Sequence, residues 1–304
     1  MLLEEAGTQD CQEANLKLNN LNYLSLRENK ISDLKPLASL TNLTYLRLEK
    51  NQISNLAPLS KLTNLTSLYL GQNQISNLAP LSKLTNLTSL YLDFNQISDI
   101  KPLSDLKKLK YLMLPVNKIS DIKPLSNLTN LTDIHLGYNP ISDVKQLSEF
   151  TNLTYLGLTN NNISDIKPLS KLKNLTKLLL EDNQISNIEP LSKLTDLTEL
   201  DLNSNQISNI KPLSKLTNLR RLKLDNNKII NIKPLLNLNN LRRLNLRENK
   251  ISDLKRLSNL DKLEYLYIDG NPMGKKVCPI KPQSVCQFWP YRKKSEKDTA
   301  IQLK

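Results

Sequence analysis

An asparagine returns every 22 residues along almost the whole chain, at Asn29, Asn51, Asn73, Asn95, Asn117, Asn139, Asn161, Asn183, Asn205, Asn227, Asn249 and Asn271, with no insertion at any step. A fixed period of this size restricts a chain to an array of similar supersecondary units. One such unit cannot bury its own apolar face and must stack on the next. The apolar residues keep the same register: Leu40, Leu43, Leu46, Leu48, Ile53, Leu56 and Leu59 are followed by Leu62, Leu65, Leu68, Leu70, Ile75, Leu78 and Leu81.

Each residue type has a mechanical task. From Tyr45 to Glu49 polar residues alternate with Leu46 and Leu48, the period of a half-buried strand with both leucines inward. Pro58 fixes its own φ and lacks an amide hydrogen, so it suits a short helical or extended turn on the return side. The asparagine is expected to turn inward where the strand ends, its amide donating to and accepting from backbone groups of the bend. Losing one amide should leave buried groups unpaired, at about 1 to 3 kcal/mol each. The fold class that follows is α/β: a horseshoe solenoid of twelve repeats, with a parallel sheet on the concave face and short 3-10 or extended turns on the convex face.

Solenoid ends need covers. Residues 1–17 are assigned as the N-terminal cap, through Leu2, Leu3 and Ala6, with Thr8 or Asp10 as candidate helix N-cap before Cys11. The repeats occupy 18–271, a C-terminal cap 272–289, and a basic, polar tail expected to be disordered 290–304. Phe288 and Trp289 are expected to seal the last coil. Cys278 and Cys286 are close enough in sequence to bridge, which would suit an oxidising compartment; a buried reduced pair is the alternative. Gln146 and Arg256 stand where other repeats carry proline, and a local change in the convex turn is expected there.

The repeat resembles the 22-residue leucine-rich class of bacterial internalins and of eukaryotic phosphatase-regulating subunits. It is most similar to internalin-type repeats, through Leu-Thr-Asn-Leu-Thr-Tyr-Leu at 40 to 46 and Asn-Lys-Ile-Ser-Asp-Ile-Lys-Pro-Leu at 117 to 125. The flanks, residues 5 to 11 and Cys278 to Cys286, look like those of bacterial, including cyanobacterial, internalin-like proteins. The resemblance implies a concave protein-binding surface, which in internalins engages host cell receptors. The sequence departs from those relatives in showing no export signal, no immunoglobulin-like module after the repeats and no wall-sorting tail.

The residues flanking the inward leucines can be read off the register. Tyr23, Tyr45, Tyr69, Tyr91, Tyr111, Tyr138, Tyr155, Tyr265 and Tyr267 all fall on the exposed strand face, with Phe94, Met113, Val116 and the single histidine, His135. Gly71, Gly137 and Gly157 are expected to leave room between rings. Exposed aromatic groups with a polar tip are favoured interface anchors; lateral packing of tyrosine on a sheet is the plainer explanation. Further along, Glu199 is expected beside Arg221, Asp201 beside Lys223 and Asp225 beside Arg247 as ordinary cross-strand pairs. Arg221 beside Arg243 is instead a like-charge contact that an acidic group on a partner would relieve.

Catalysis has little to work with. One histidine allows no histidine metal cluster, Asp133 is its only evident acidic neighbour, and no phosphate-binding glycine loop follows a strand. No cofactor is expected. The formal charge of +13 lies largely on lysines in register before proline or before the next repeat, and on the tail. A solvated convex face is therefore preferred to a nucleic-acid site. No apolar run approaches the roughly 18 residues needed to span a bilayer. The start at Met1 has no signal-peptide pattern. Read literally that places the chain in the cytoplasm; a signal upstream of it would place it outside the cell or at its surface. The primary expectation is a monomeric, non-catalytic module binding a protein or peptide. An exported adhesin and a polyanion binder using the tail and convex lysines are the rivals.

Overall fold

In a computed structural model, residues 10, 17–273 and 278–287 are described, the side chain of Arg256 excepted. Most of the proposed N-terminal cap (Leu2, Leu3, Ala6, Thr8, Cys11), Phe288 and Trp289 of the far cap, and the tail 290–304 lie outside the described residues. The chain divides into two units, the first ending at Leu179 and the second beginning at Leu180.

Among its described residues unit 1 carries eight strands, β1 Tyr23–Ser25, β2 Tyr45–Arg47, β3 Ser67–Tyr69, β4 Ser89–Tyr91, β5 Tyr111–Met113, β6 Asp133–His135, β7 Tyr155–Gly157 and β8 Lys177–Leu179. Each pairs in parallel with the next, residue against residue 22 further on, as in Leu24 with Leu46 and Tyr69 with Tyr91. The strands are short because each must bend again before the return path. Their middle residues, from Leu24 to Leu178, and the leucines two places on are buried. Both outward residues of every strand therefore stand on one face, as period-two alternation requires.

The return path is made of 3-10 turns such as Lys35–Leu37, Ala57–Lys61 and Lys101–Leu103. Proline is the second residue of most, and an Asx bond sets the entry: Asp33 Oδ1 accepts the Lys35 N–H at 2.9 Å, and Asn55, Asp99 and Asp121 repeat it. Gln146 leaves the coil unbroken. Lys145–Glu149 is still a 3-10 turn, because Asp143 keeps its bond to the Lys145 N–H and Leu147 is still buried. The backbone around Arg256 forms the same kind of turn, Lys255–Asn259.

From the second repeat on, the ladder asparagine fastens the bends. Asn139 donates from Nδ2 to the carbonyls of Leu136 at 3.1 Å and Gly137 at 3.2 Å, and to Leu114 of the preceding repeat at 3.0 Å. Its Oδ1 accepts the Ile119 N–H at 2.9 Å. Asn51, Asn73, Asn95, Asn117 and Asn161 in unit 1, and Asn205, Asn227, Asn249 and Asn271 in unit 2, donate in the same way. Asn183 donates to Leu180 and Glu181 of its own bend. Asn29, in the first repeat, is exposed and donates to the Arg27 carbonyl. To aim the amide inward the backbone must reverse, and the preceding residue sits in the left-handed region in repeat after repeat.

A second asparagine row, in the Leu-Thr-Asn-Leu stretches, is not apparent from the sequence analysis. Asn64 donates to the Thr41 carbonyl at 2.9 Å, Asn86 to Thr63 and Asn152 to Thr129, each reaching back 23 residues. Identical residue type in identical register was the available signal.

Unit 2 continues the pattern with β9 Glu199–Asp201, β10 Arg221–Lys223, β11 Arg243–Asn245 and β12 Tyr265–Tyr267, paired in parallel in that order. The C-terminal cap adds a strand of its own, β13 Cys286–Gln287, with Leu266 opposite Cys286. A disulfide joins Cys278 to Cys286, with Cα atoms 5.6 Å apart. Ile280, Val285 and Cys286 are buried at this end, so the cap continues the core past the last repeat.

Candidate functional site

In unit 1 the third residues of successive strands form one row: Arg47, Tyr69, Tyr91, Met113, His135 and Gly157. The first residues form another that includes Tyr23, Tyr45, Tyr111, Asp133, Tyr155 and Lys177. Tyr69 stacks on Tyr91 with centroids 4.2 Å apart and planes at 8°, and Tyr23 on Tyr45 at 5.0 Å. Tyr45 leans across rows to meet Tyr69 at 5.1 Å. A hydrogen bond to Tyr69 raises the Tyr45 phenol above its ordinary pKa, and burial raises that of Tyr69. Tyr111 carries 43% of its surface exposed, Tyr23 is more open still, and Tyr45, Tyr69, Tyr91, Met113 and Tyr155 are half-buried.

His135 is the second focus. The Tyr155 ring stacks on it at 4.0 Å, and Lys177 Nζ stands 5.3 Å from the centre of the Tyr155 ring. Burial, helped by the charge of Lys177, lowers the imidazole pKa to about 4, so it is neutral at physiological pH. Gly157 makes this stack possible: a Cβ there would press on Tyr155 at 3.3 Å and on His135 at 3.4 Å. The other two glycines serve neighbours that are not rings. A Cβ at Gly71 would run into the Asp93 carboxylate, and one at Gly137 into the Thr159 carbonyl. Asp93 is itself raised above the usual carboxylate range by burial, then by Glu49.

Phe94, Val116 and Tyr138 do not lie in the strands. They occupy the left-handed position before the ladder asparagine, with φ of 51°, 57° and 57°, and are half-buried at the bend. The strands end three residues before them, at Tyr91, Met113 and His135, and the backbone reverses there. Arg47 and Lys177 were missed by the sequence reading. Arg47 lies over Tyr69, 5.3 Å from the ring centre, and its neighbour in register is that same tyrosine.

In unit 2 the same rows carry charge. Asp201 pairs with Lys223 across the strands as the register predicts, and both Asp201 and Asp225 are buried, 3% and 2% exposed. Asp201 takes the Lys223 ammonium at 2.7 Å and the Asn203 N–H at 3.1 Å. Burial pulls the Lys223 pKa down, but Asp201, Glu181 and Glu199 outweigh it and leave it raised. Asp225 accepts the Arg247 backbone N–H at 2.8 Å and the Asn245 amide at 3.1 Å, and burial raises its pKa. The reason is steric. These aspartates are too short to reach the surface past their long neighbours, and each meets donors one strand away.

Arg221 and Arg243 are paired in register, as read from the repeat. Arg243 turns to the aromatic side, donating from Nη2 to the Tyr267 hydroxyl at 3.0 Å and lying 5.7 Å from the Tyr265 ring centre. Arg247 covers the Tyr267 ring at 4.3 Å. Tyr265 and Tyr267 thus belong with arginines in unit 2, while the stacked rings belong to unit 1. Among the described residues no cluster of histidine, cysteine or acidic side chains could hold a metal, and no helix is long and apolar enough to cross a membrane.

A frame of parallel three-residue strands, 3-10 returns and an asparagine ladder, repeated every 22 residues, is that of a leucine-rich repeat. The family model for leucine-rich repeats in two copies matches residues 19–61, 63–107, 107–149, 151–193, 173–215 and 195–237, and a further leucine-rich-repeat model matches 217–273. The chain belongs to the leucine-rich-repeat family. Its repeats are internalin-like: it is similar to an internalin (inlF) of Listeria monocytogenes at 31% identity, over 95% of this chain and 94% of that one, with a TM-score of 0.82. Internalin C2 of the same organism is 32% identical over 68% of this chain and 90% of its own, with a TM-score of 0.61. A leucine-rich-repeat protein of Leptospira interrogans is 26% identical over 90% and 85%, with a TM-score of 0.69. No curated protein matches the chain. Proteins of this family are generally protein-interaction modules and typically non-catalytic.

Proposed function

We propose that the chain is a non-catalytic recognition module that docks a protein or peptide on the sheet face of unit 1, with Tyr69, Tyr91, Tyr111, Met113, His135 and Tyr155 as its centre and Tyr45 at its margin. The observation that carries this reading is the Tyr69–Tyr91 stack, 4.2 Å apart and followed in register by Met113. Rings already held by their neighbours lose little side-chain freedom on binding, so their contact area converts efficiently into affinity. The neutral, half-buried His135 extends the same surface without a charge to desolvate.

Affinity capture from the source organism, comparing the wild type with a Tyr91→Ala, Tyr111→Ala, Met113→Ala variant, tests it. Partners that bind the wild type should be lost by the variant while its circular dichroism is unchanged. A folded variant that keeps every partner would place recognition elsewhere. A second reading, an exported internalin-like surface protein, is favoured by the Cys278–Cys286 disulfide, a bond that persists in oxidising compartments. Surface biotinylation of intact cells distinguishes the two; a chain recovered only from lysed cells, with both thiols free, would dismiss it.

A further inference from the structure

Four arginines in unit 2 form a grid. Arg220 and Arg221 lead into and open β10, and Arg242 and Arg243 do the same for β11, with the Arg242 N–H bonded to the Arg220 carbonyl at 2.9 Å. Parallel neighbours stand about 4.8 Å apart, a separation at which like charges facing each other repel. Among the described residues, counter-charge comes from the outer sides. Glu199 on β9 reaches Arg221 at 3.7 Å, and Glu264 beside β12 reaches Arg242 at 2.8 Å. Arg220 has no side-chain hydrogen bond or ion pair among the described residues.

These six side chains line a cleft of about 590 Å³, with the Tyr265 ring as one wall. That volume lies within the range of ordinary ligand sites. Two carboxylates set against four guanidiniums leave the cleft two positive charges in excess. A guanidinium offers five N–H donors in a planar fork. Among the described residues, Arg242 uses one of these on Glu264 and Arg243 one on the Tyr267 hydroxyl. Arg221 and Arg242 remain open, with 62% and 59% of their side chains exposed.

We propose that this cleft is a docking site for the acidic side chains of a protein or peptide segment, with two carboxylates seated among the four arginines. Carboxylate is the form that fits. It matches the fork with two parallel hydrogen bonds, and two of them neutralise the excess and relieve the Arg221–Arg243 contact. A long polyanion laid across the strands would meet Glu199 at one end and Glu264 at the other, whereas a short acidic stretch sits between them. The site depends on unit 2 alone and would survive failure of the aromatic surface in unit 1.

The test is fluorescence anisotropy of the full chain with a short fluorescein-labelled peptide of alternating glutamate and glycine. The probe should bind saturably and more weakly as salt rises, and its glutamine counterpart should not bind. An Arg221→Gln, Arg243→Gln variant should lose about tenfold in affinity or more. Lys145→Gln with Lys167→Gln, a change of equal charge in the turns of unit 1, should leave affinity unchanged. Arg221→Lys with Arg243→Lys keeps the charge without the fork, is the variant of choice if the first does not fold, and should bind in between. No binding of the glutamate peptide, equal losses in the arginine and lysine variants, or tighter binding of duplex DNA that the same arginine change abolishes would each overturn the proposal.

Discussion

On β3 to β6 the outward side chains include Tyr69, Tyr91, Tyr111, Met113 and His135, whereas at the matching positions of β9 to β12 they include Glu199, Arg221, Lys223, Arg243 and Tyr267. The backbones beneath differ little: both have buried leucines at the strand centre, a left-handed residue at the bend and an amide fastening one repeat to the last. Unit 1 holds its surface residues by ring stacking, and unit 2 by buried carboxylates and by arginines laid on Tyr265 and Tyr267. The frame sets where a side chain stands, and only its neighbours one strand away set what it does there. Such a design lets surface chemistry vary at small cost, because the residues that fold the repeat are not the residues on its face.

The largest expected effect tests whether the frame is shared. Leu156→Ala in unit 1 and Leu222→Ala in unit 2 each remove a fully buried side chain. Each should cost about 3 kcal/mol in urea unfolding, and values differing by more than about 2 kcal/mol would mean that the two frames are not equivalent. Next, Asp201→Ala should destabilise by about 2 kcal/mol, since it strands Lys223 and the Asn203 N–H. No loss of stability would show that the carboxylates of unit 2 do not hold its face together.

A pH titration separates the units further. The folded pKa of His135, about 4, lies below the ordinary 6.5. Between those values the unfolded chain binds more protons, so stability is full above the ordinary value and falls as pH drops through the window. The loss should be on the order of 2 kcal/mol and absent in His135→Gln, with the imidazole followed by NMR. An imidazole titrating at its ordinary value would break the stack-and-burial account of that residue. Smallest is Tyr69→Ala, which removes contacts with Tyr45, Tyr91 and Arg47 and should cost about 1 kcal/mol in a thermal melt. A shift no larger than that of Tyr111→Ala, whose ring is exposed, would show that the stack contributes nothing.

The core, the strands and the inward asparagine were all legible from a 22-residue period, because each depends on contacts between a residue and its own copy one repeat away. The same register was enough to place Arg221 beside Arg243 and to bring Tyr69 next to Tyr91. It misplaced Phe94, Val116 and Tyr138, since alternation cannot announce where a backbone reverses. Nor did it show that Asp201 and Asp225 are buried, since burial of a short side chain depends on how far its neighbours lean over it.

The repeating element and the row each residue occupies follow from the order of amino acids alone, because translation by one repeat maps every local preference onto the same place in the next. Which way the side chains in those rows turn was settled by packing. Tyr45 crosses rows to Tyr69, Tyr155 folds over Gly157 onto His135, and Arg243 turns from Arg221 to Tyr267. Rotamers at a surface are set by the balance of stacking, repulsion and desolvation among three or four neighbours, a balance that no periodic pattern records.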